Sequence, residues 1–323
     1  PDKPPSRDET TQILTGLLPL VSHPQARTVA MIGIGSGQST HAVLASPYVE
    51  RVDTIEIEAA MVAGARYFLP AVARAFEDPR NQLVINDART VLTTGRERYD
   101  VIVSEPSHEW VSGVAGLFST EFYRLTARHL ADGGVFAQWM QTYEIDLALV
   151  ASVFKALSSV FGEFTVYNTG SGNMLIIASA NGGRPERHAA LFESAAAREL
   201  LGRIDIVNAD DLLARRVGDE QLLMPLMNSY PLPANSDFHP YLDLGSAAAR
   251  YRGARASALL HVASASVPLG DLFGEPMAQI EQIATTAMAK QPVATQVYAL
   301  LVDGDATAAA HLPDDVRRLI APL

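Results

Sequence analysis

The chain has 323 residues, 48% of them hydrophobic and 19% charged, with a formal net charge of −11 and no cysteine. This is enough for one large α/β domain with additions, or for two domains, and it excludes gross disorder, disulfides, thiolate metal sites and cysteine nucleophiles. The acidic balance argues against a nucleic-acid surface; it suits a cationic substrate and equally the ordinary acidity of a soluble protein. Residues 1–6, which begin with Pro1 rather than Met, have linker character and are expected of a piece of a longer chain. A helix is predicted over 10–20. Strands are predicted over 28–32, 52–57, 83–85, 101–104 and 135–139, with helical spacing over 38–45, 58–76 and 120–130 between them. A helix over 146–161 follows, and then strands over 164–167 and 174–180 flank the turn Asn168-Thr169-Gly170-Ser171-Gly172-Asn173. A loop over 181–185, a helix over 189–201 and an Ala-rich helical region from 247 complete the chain. No apolar run approaches the roughly 18 residues needed to span a bilayer.

Alternation of strands and helices predicts a mostly parallel sheet covered on both faces. The antiparallel hairpin that closes it is typical of a Rossmann-like, class I methyltransferase-type α/β fold rather than of dinucleotide dehydrogenases. At the carboxyl end of the first strand stands Gly33-Ile34-Gly35-Ser36-Gly37, and the second strand ends in Glu56, 19 positions after Gly37. Glycines there let a backbone approach a ligand, and an acid at the next strand end accepts hydrogen bonds from ribose hydroxyls. Such glycine patterns alone also occur in plain loops; joined to the acid, this one points to a nucleoside site. Asp87 follows the third strand, as either a second ligand contact or the N-cap of the next helix. Glu105, directly after the fourth strand, and Glu109 are candidate acid–base groups or solvated loop residues. Trp110 and Tyr143 are pocket aromatics or ordinary lid and core residues. His23, His108 and His239 lack metal-ligand spacing, so no metal site is expected. Arg215-Arg216 is expected to be a solvated helix end.

Several segments follow one family in order and spacing: Leu18-Pro19-Leu20, Ser22-His23-Pro24, the glycine turn, Ile55-Glu56-Ile57-Glu58, Arg66-Tyr67-Phe68-Leu69-Pro70, Asn86-Asp87-Ala88, Tyr99-Asp100-Val101-Ile102-Val103, Leu117-Phe118 and Glu121-Phe122-Tyr123. From about residue 7 to 143 the chain resembles the spermidine synthase (polyamine aminopropyltransferase) family, and Asn235-Ser236-Asp237-Phe238-His239 echoes a later family segment. Residues 104–114 look like its divergent bacterial branch, often fused to membrane segments. The resemblance implies three parts: a linker and N-terminal helix (1–27), a Rossmann-like aminopropyltransferase-type domain (28–245) and a helical C-terminal extension (246–323).

It also implies transfer of an aminopropyl or related group from decarboxylated S-adenosylmethionine, or from S-adenosylmethionine, to a small-molecule amine, with methylthioadenosine released and no prosthetic group. Glu56 would hold the ribose, Asp87 and the Ala88 N–H the adenine, and Gln12 the donor. Glu105 stands where the family has its catalytic Asp, and Glu109 could supply a second acid for an ammonium. Three positions depart from the family pattern. Thr11 replaces a tyrosine, Met140 falls where an acid grips the distal amine, and Ser36 replaces an Asp that pairs with the donor's ammonium. A methyltransferase using the same pocket and a non-catalytic nucleoside-binding module are the rival expectations. A homodimer, a tether through a preceding N-terminal region, and a place in the cytoplasm or on the cytoplasmic side of a membrane protein complete what the resemblance implies.

Overall fold

The computed structural model describes residues 7–111, 113–179 and 186–264. Eight strands form one sheet: β1 Thr28–Ile32, β2 Arg51–Glu56, β3 Asn81–Ile85, β4 Tyr99–Ser104, β5 Leu130–Gln141, β6 Glu163–Gly170, β7 Asn173–Ser179 and β8 Arg216–Asp219. Their spatial order is β3-β2-β1-β4-β5-β7-β6-β8. The first five are parallel, and β6, β7 and β8 close the sheet through antiparallel pairings. This is the predicted mixed sheet with its closing hairpin, and its order reverses beside β1, where α/β sheets bind ligands beyond their carboxyl ends.

The helices are α1 Arg7–Leu17, α2 Pro19–Ser22, α3 Gln38–Val43, α4 Ala59–Ala65, α5 Ala73–Glu77, α6 Ala88–Thr94, α7 Thr120–Arg128, α8 Leu147–Ser158, α9 Ala195–Gly202, α10 Ala209–Leu213, α11 Glu220–Ser229 and α12 Tyr241–Tyr251. None of the described helices is long and apolar enough to cross a membrane. Strand residues alternate between two cores. Ile102 and Phe136 pack with Phe122, Phe154 and Phe161 on one face; Val103 and Trp139 pack with Leu14, Tyr167 and Leu201 on the other.

Several elements differ from expectation for local reasons. The helix expected over 58–76 divides into α4, a 3₁₀ turn at Arg66–Phe68 and α5. Pro70 interrupts it, because proline has no N–H to donate and disfavours helix in the residue before it. The segment expected as a helix over 189–201 begins as 3₁₀ turn His188–Glu193, and Ser194 then caps α9 by accepting from the Ala197 N–H. Arg215-Arg216 is not a solvated helix end: Arg216 opens β8 opposite Tyr167 and pairs with Asp219 at 3.0 Å. The Arg215 guanidinium is shielded enough for burial to lower its pKa.

The boundaries expected near 27 and 246 are both bridged by packing. Ile13 and Leu14 of α1 are fully buried against the sheet. At the other end, α12 runs across position 246 and buries Leu242 and Ala249 in the core that also holds α8. The expected linker at 1–6, the loop at 181–185 and the helical region from 265 onward lie outside the described residues.

Candidate functional site

The carboxyl ends of β1, β2 and β4 meet at the glycine turn. Gly33 has φ +93°, and a Cβ there would stand 2.3 Å from the Glu105 carbonyl oxygen. Only glycine satisfies both the backbone region and the close approach. The turn is pinned from two sides: the Gly33 N–H donates to the Ile55 carbonyl at 2.8 Å, and the Gly37 N–H to that of Ile34 at 2.7 Å. Gly35 is exposed at its tip, and Gly37 leads into α3.

Glu56 at the end of β2 is 8% exposed. Its Oε2 accepts from the Ile34 N–H at 3.1 Å and its Oε1 from the Glu58 N–H at 2.9 Å. The carboxylate therefore shapes the glycine turn while lone pairs remain for a ligand's hydroxyls. Should a nucleoside such as methylthioadenosine seat at this turn, Glu56→Ala is expected to weaken its binding by about tenfold or more, through a lost charge-assisted hydrogen bond. It is also expected to destabilise the fold by ~1–2 kcal/mol, because it frees two loop N–H groups. Titration calorimetry and urea denaturation measure the two effects, and unchanged affinity would remove Glu56 from the site.

Asp87 caps α6. Its Oδ1 accepts from the Thr90 N–H at 2.8 Å, and Ala88 is the buried first residue of that helix. β2 and β3 pair with Glu56 opposite Ile85, so Asp87 stands beyond the strand end beside Glu56's own. Next to these carboxylates in the chain stand two exposed apolar residues, Ile57, which follows Glu56 and is 69% exposed, and Ile85, which pairs with Glu56 across β3 and is 50% exposed. An aliphatic pair beside two carboxylates suits the flat face of a base. Its sequence signal is an apolar residue at the last position of each predicted strand, 52–57 and 83–85, where an exposed polar residue would be expected.

Gly16 brings α1 onto α3, where a Cβ would stand 2.4 Å from the Ser39 carbonyl oxygen. That contact sets Gln12 beside the turn, and the Ser36 hydroxyl donates to Gln12 Oε1 at 3.0 Å. Glu105 emerges from β4 with its N–H bonded to the Ile32 carbonyl at 2.9 Å. The half-buried carboxyl is pushed up to about 7 by burial, opposed by a hydrogen bond with Ser39. The structure thus brings Gln12, Gly33, Gly35, Ser36, Gly37, Glu56 and Glu105 to one edge, with Asp87 and Ala88 beside them.

Glu109 is not a solvated loop residue. It is 1% exposed, and neither carboxylate oxygen has a hydrogen-bond partner in another described residue. Burial pushes its carboxyl up to about 8, with nearby Glu144 adding to the rise. Aromatic side chains surround this loop. His108 stacks on Trp110 with centroids 4.3 Å apart, meets Trp139 edge-on, and its Nε2 lies 3.1 Å from the Tyr143 hydroxyl. Further buried polar atoms at the same edge have no partner among the described residues: Ser104 Oγ, Trp139 Nε1, Gln141 Oε1 and Asn173 Oδ1. Buried polar groups in native interiors normally have a partner, and a polar ligand at this edge would supply one to these four atoms.

Thr11 lies within the fold, donating to the Thr169 carbonyl at 3.3 Å, and Met140 is fully buried in the apolar core. Asn235 of the later segment is a structural tie: its Nδ2 donates to the Phe118 carbonyl at 3.0 Å, and its Oδ1 accepts from the Leu242 N–H at 3.1 Å. Asp237 pairs with Arg89 of α6. Among the described residues, no group of three or more His, Asp and Glu is placed to hold a metal ion.

A family model described as the spermine/spermidine synthase domain matches residues 10–176. The polyamine aminopropyltransferase of Moorella thermoacetica is 32% identical over 152 residues, covering 47% of this chain and 53% of that protein. Polyamine aminopropyltransferase 1 of Pseudomonas aeruginosa is 33% identical over 151 residues, covering 46% and 52%. Among solved structures, the spermidine synthase from Thermotoga maritima aligns with a TM-score of 0.47 at 24% identity, over 55% of this chain and 62% of that one. The chain spans about half the length of the curated relatives it matches. With that domain covering half of its length, the chain belongs to the spermine/spermidine synthase family.

Proposed function

We propose that this domain transfers the aminopropyl group, or a related alkyl group, of an S-adenosylmethionine-derived donor to a small amine and releases methylthioadenosine. The observation that carries this reading is the contact between the glycine turn and the fourth strand end. Gly33 lies against the backbone of Glu105, so the turn suited to a nucleoside and a carboxyl pushed up to about 7 share one edge. Glu56 would hold the ribose hydroxyls, and Asp87 with the Ala88 N–H the adenine. Gln12 and Ser36 would contact the donor's tail.

In the reaction, a protonated amine gives a proton to Glu105. Its freed lone pair attacks the carbon beside the sulfonium, the C–S bond breaks, and its electron pair stays on sulfur. A carboxyl near 7 is suited to this task, being ionised often enough to accept the proton and basic enough to hold it. Glu109 would stand by the acceptor's ammonium. Mass spectrometry of products, after incubation with each donor and a mixture of amines, tests the reading. Methylthioadenosine supports it; S-adenosylhomocysteine would make the domain a methyltransferase; binding without consumption of either donor would make it a nucleoside-binding module.

Ser36 bears on donor choice. A carboxylate at this position would attract the donor's ammonium and repel the carboxylate that S-adenosylmethionine retains. With the neutral hydroxyl bonded to Gln12, the wild type is expected to bind S-adenosylmethionine without that penalty. Ser36→Asp is expected to shift the ratio of the two dissociation constants about tenfold toward the decarboxylated donor. An unchanged ratio would show that position 36 does not sense the tail.

A further inference from the structure

The amino-terminal edge of the parallel strands, opposite the edge that gathers the glycine turn and Glu105, has a charge pattern that the proposed reaction does not use. The chain as a whole is acidic, with a formal net charge of −11. Three arginines of this edge are engaged by local acids: Arg27 by Glu50 at 2.6 Å, Arg51 by Asp53 at 2.8 Å and Arg80 by Asp78 at 2.7 Å. Four others are not. Arg96 and Arg98 stand on the turn between α6 and β4, and Arg124 and Arg128 on α7; all four are exposed. No hydrogen bond, ion pair or ring contact joins any of their guanidiniums to another described residue.

The four form one patch. His129, directly after Arg128, has its Nδ1 2.7 Å from the Glu97 carbonyl oxygen, and its own carbonyl accepts from the Tyr99 N–H at 2.8 Å. The end of α7 is thereby fastened to the turn that carries Arg96 and Arg98. Arg124 and Arg128 are four residues apart and so share a face of their helix. Two acids adjoin the patch: Glu97 lies 3.3 Å from the Arg51 guanidinium, and Asp132 is exposed near the start of β5. Both are outweighed by the four free guanidiniums.

The setting selects the anion. Long side chains with no fixed partners suit a surface whose charges move laterally, rather than one anion held in a shaped pocket. Among the described residues, none of the large exposed apolar side chains lies on this turn or on α7. Nucleic acid would find no ring for its bases to stack on. Arg98 and Glu105 flank the two ends of β4, which sets them ~20 Å apart along the strand, about two Debye lengths at physiological salt. Acids at the ligand edge therefore repel an anionic surface at the patch only weakly. This face can be covered while the ligand edge stays open.

We infer that this face binds an anionic lipid bilayer, with Arg96, Arg98, Arg124 and Arg128 against the headgroups and the ligand edge turned to water. The inference stands whether or not the domain is a transferase.

Co-sedimentation of the full chain with vesicles tests it, comparing phosphatidylcholine alone with an equal mixture of phosphatidylcholine and phosphatidylglycerol. Each arginine near such a surface contributes about fivefold to binding. The wild type is expected to bind the mixed vesicles at least about tenfold more strongly than the neutral ones at low salt, and to lose most of that preference at high salt. Arg96→Gln with Arg98→Gln, and Arg124→Gln with Arg128→Gln, are each expected to lower binding at least about tenfold, with Tm unchanged. Asp132→Asn is expected to strengthen it a few-fold. Arg252→Gln with Arg255→Gln makes the same change in net charge at exposed positions of the opposite edge, and is expected to alter binding by less than about twofold. Equal binding to the two kinds of vesicle, binding to neither, or an equal loss in this last pair each overturns the inference. So does a preference for poly-uridine RNA or poly-glutamate over the mixed vesicles at equal anionic charge.

Discussion

Glu105→Gln is expected to leave methylthioadenosine affinity within about twofold of wild type while lowering turnover at pH 7 by about 10²–10⁴-fold, the span ascribed to a positioned general base. The amide keeps the size of the side chain and its place after β4, where the Glu105 N–H bonds to the Ile32 carbonyl. It cannot accept a proton. Because burial pushes the wild-type carboxyl up to about 7, the wild-type rate should climb as pH rises through that value and the carboxylate forms. The amide variant should lack that limb. Its deficit should shrink toward pH 10, where amines increasingly arrive with a free lone pair of their own. A pH–rate profile for each protein, with the same donor and amine, separates these behaviours. Full turnover of the variant at pH 7 would place the base elsewhere.

Glu105 was legible because its evidence is local: an apolar run that ends in an acid, one strand along from a glycine turn. Glu56 was legible for the same reason. Its backbone partners, the N–H groups of Ile34 and Glu58, could not be foreseen from spacing alone. Asp87 shows how one residue satisfies two local rules, since a carboxylate after a strand is also the best cap for the helix that follows. The amine side was scarcely legible. Arg250 meets Trp110 and Glu144 across more than a hundred residues of chain, through the seating of α12 on α8. No periodicity carries such a pairing. The burial of Glu109 was hidden likewise, because a glutamate between a histidine and a tryptophan in a polar loop has no sequence mark distinguishing it from a solvated one. β8 was missed for a different reason: at four residues, Arg216–Asp219 is too short to show alternation, and it is recruited by pairing with β6.

Glu109→Gln is expected to stabilise the ligand-free protein at pH 8 by ~2 kcal/mol, several degrees in Tm, and to destabilise it by about 1–3 kcal/mol near pH 4, where the wild-type acid is already neutral and the amide keeps its own burial cost. The wild-type carboxyl titrates at about 8 in the fold, because burial disfavours the charge and Glu144 adds repulsion. In the unfolded chain it titrates near its ordinary value of about 4.3. A folded pKa above the unfolded one means that the native state binds the proton more tightly. The stabilising contribution is therefore complete below the unfolded pKa and is lost as pH rises from there through about 8. Glu105 shifts in the same direction, so the wild type should lose stability across this whole window, while the Glu109→Gln variant should lose less. The full linkage of such a shift is several kcal/mol. The gain is set lower because a buried amide with no partner costs about 1–3 kcal/mol of its own. An amine that seats its ammonium against Glu109 should reverse the loss at pH 8 in the wild type and not in the variant, since an ion pair compensates the buried carboxylate. Thermal denaturation of both proteins at pH 4, 6 and 8, with and without butylamine, measures all of this. Equal pH dependence in the two proteins would mean that Glu109 reaches water and is not the buried acid on which amine binding depends.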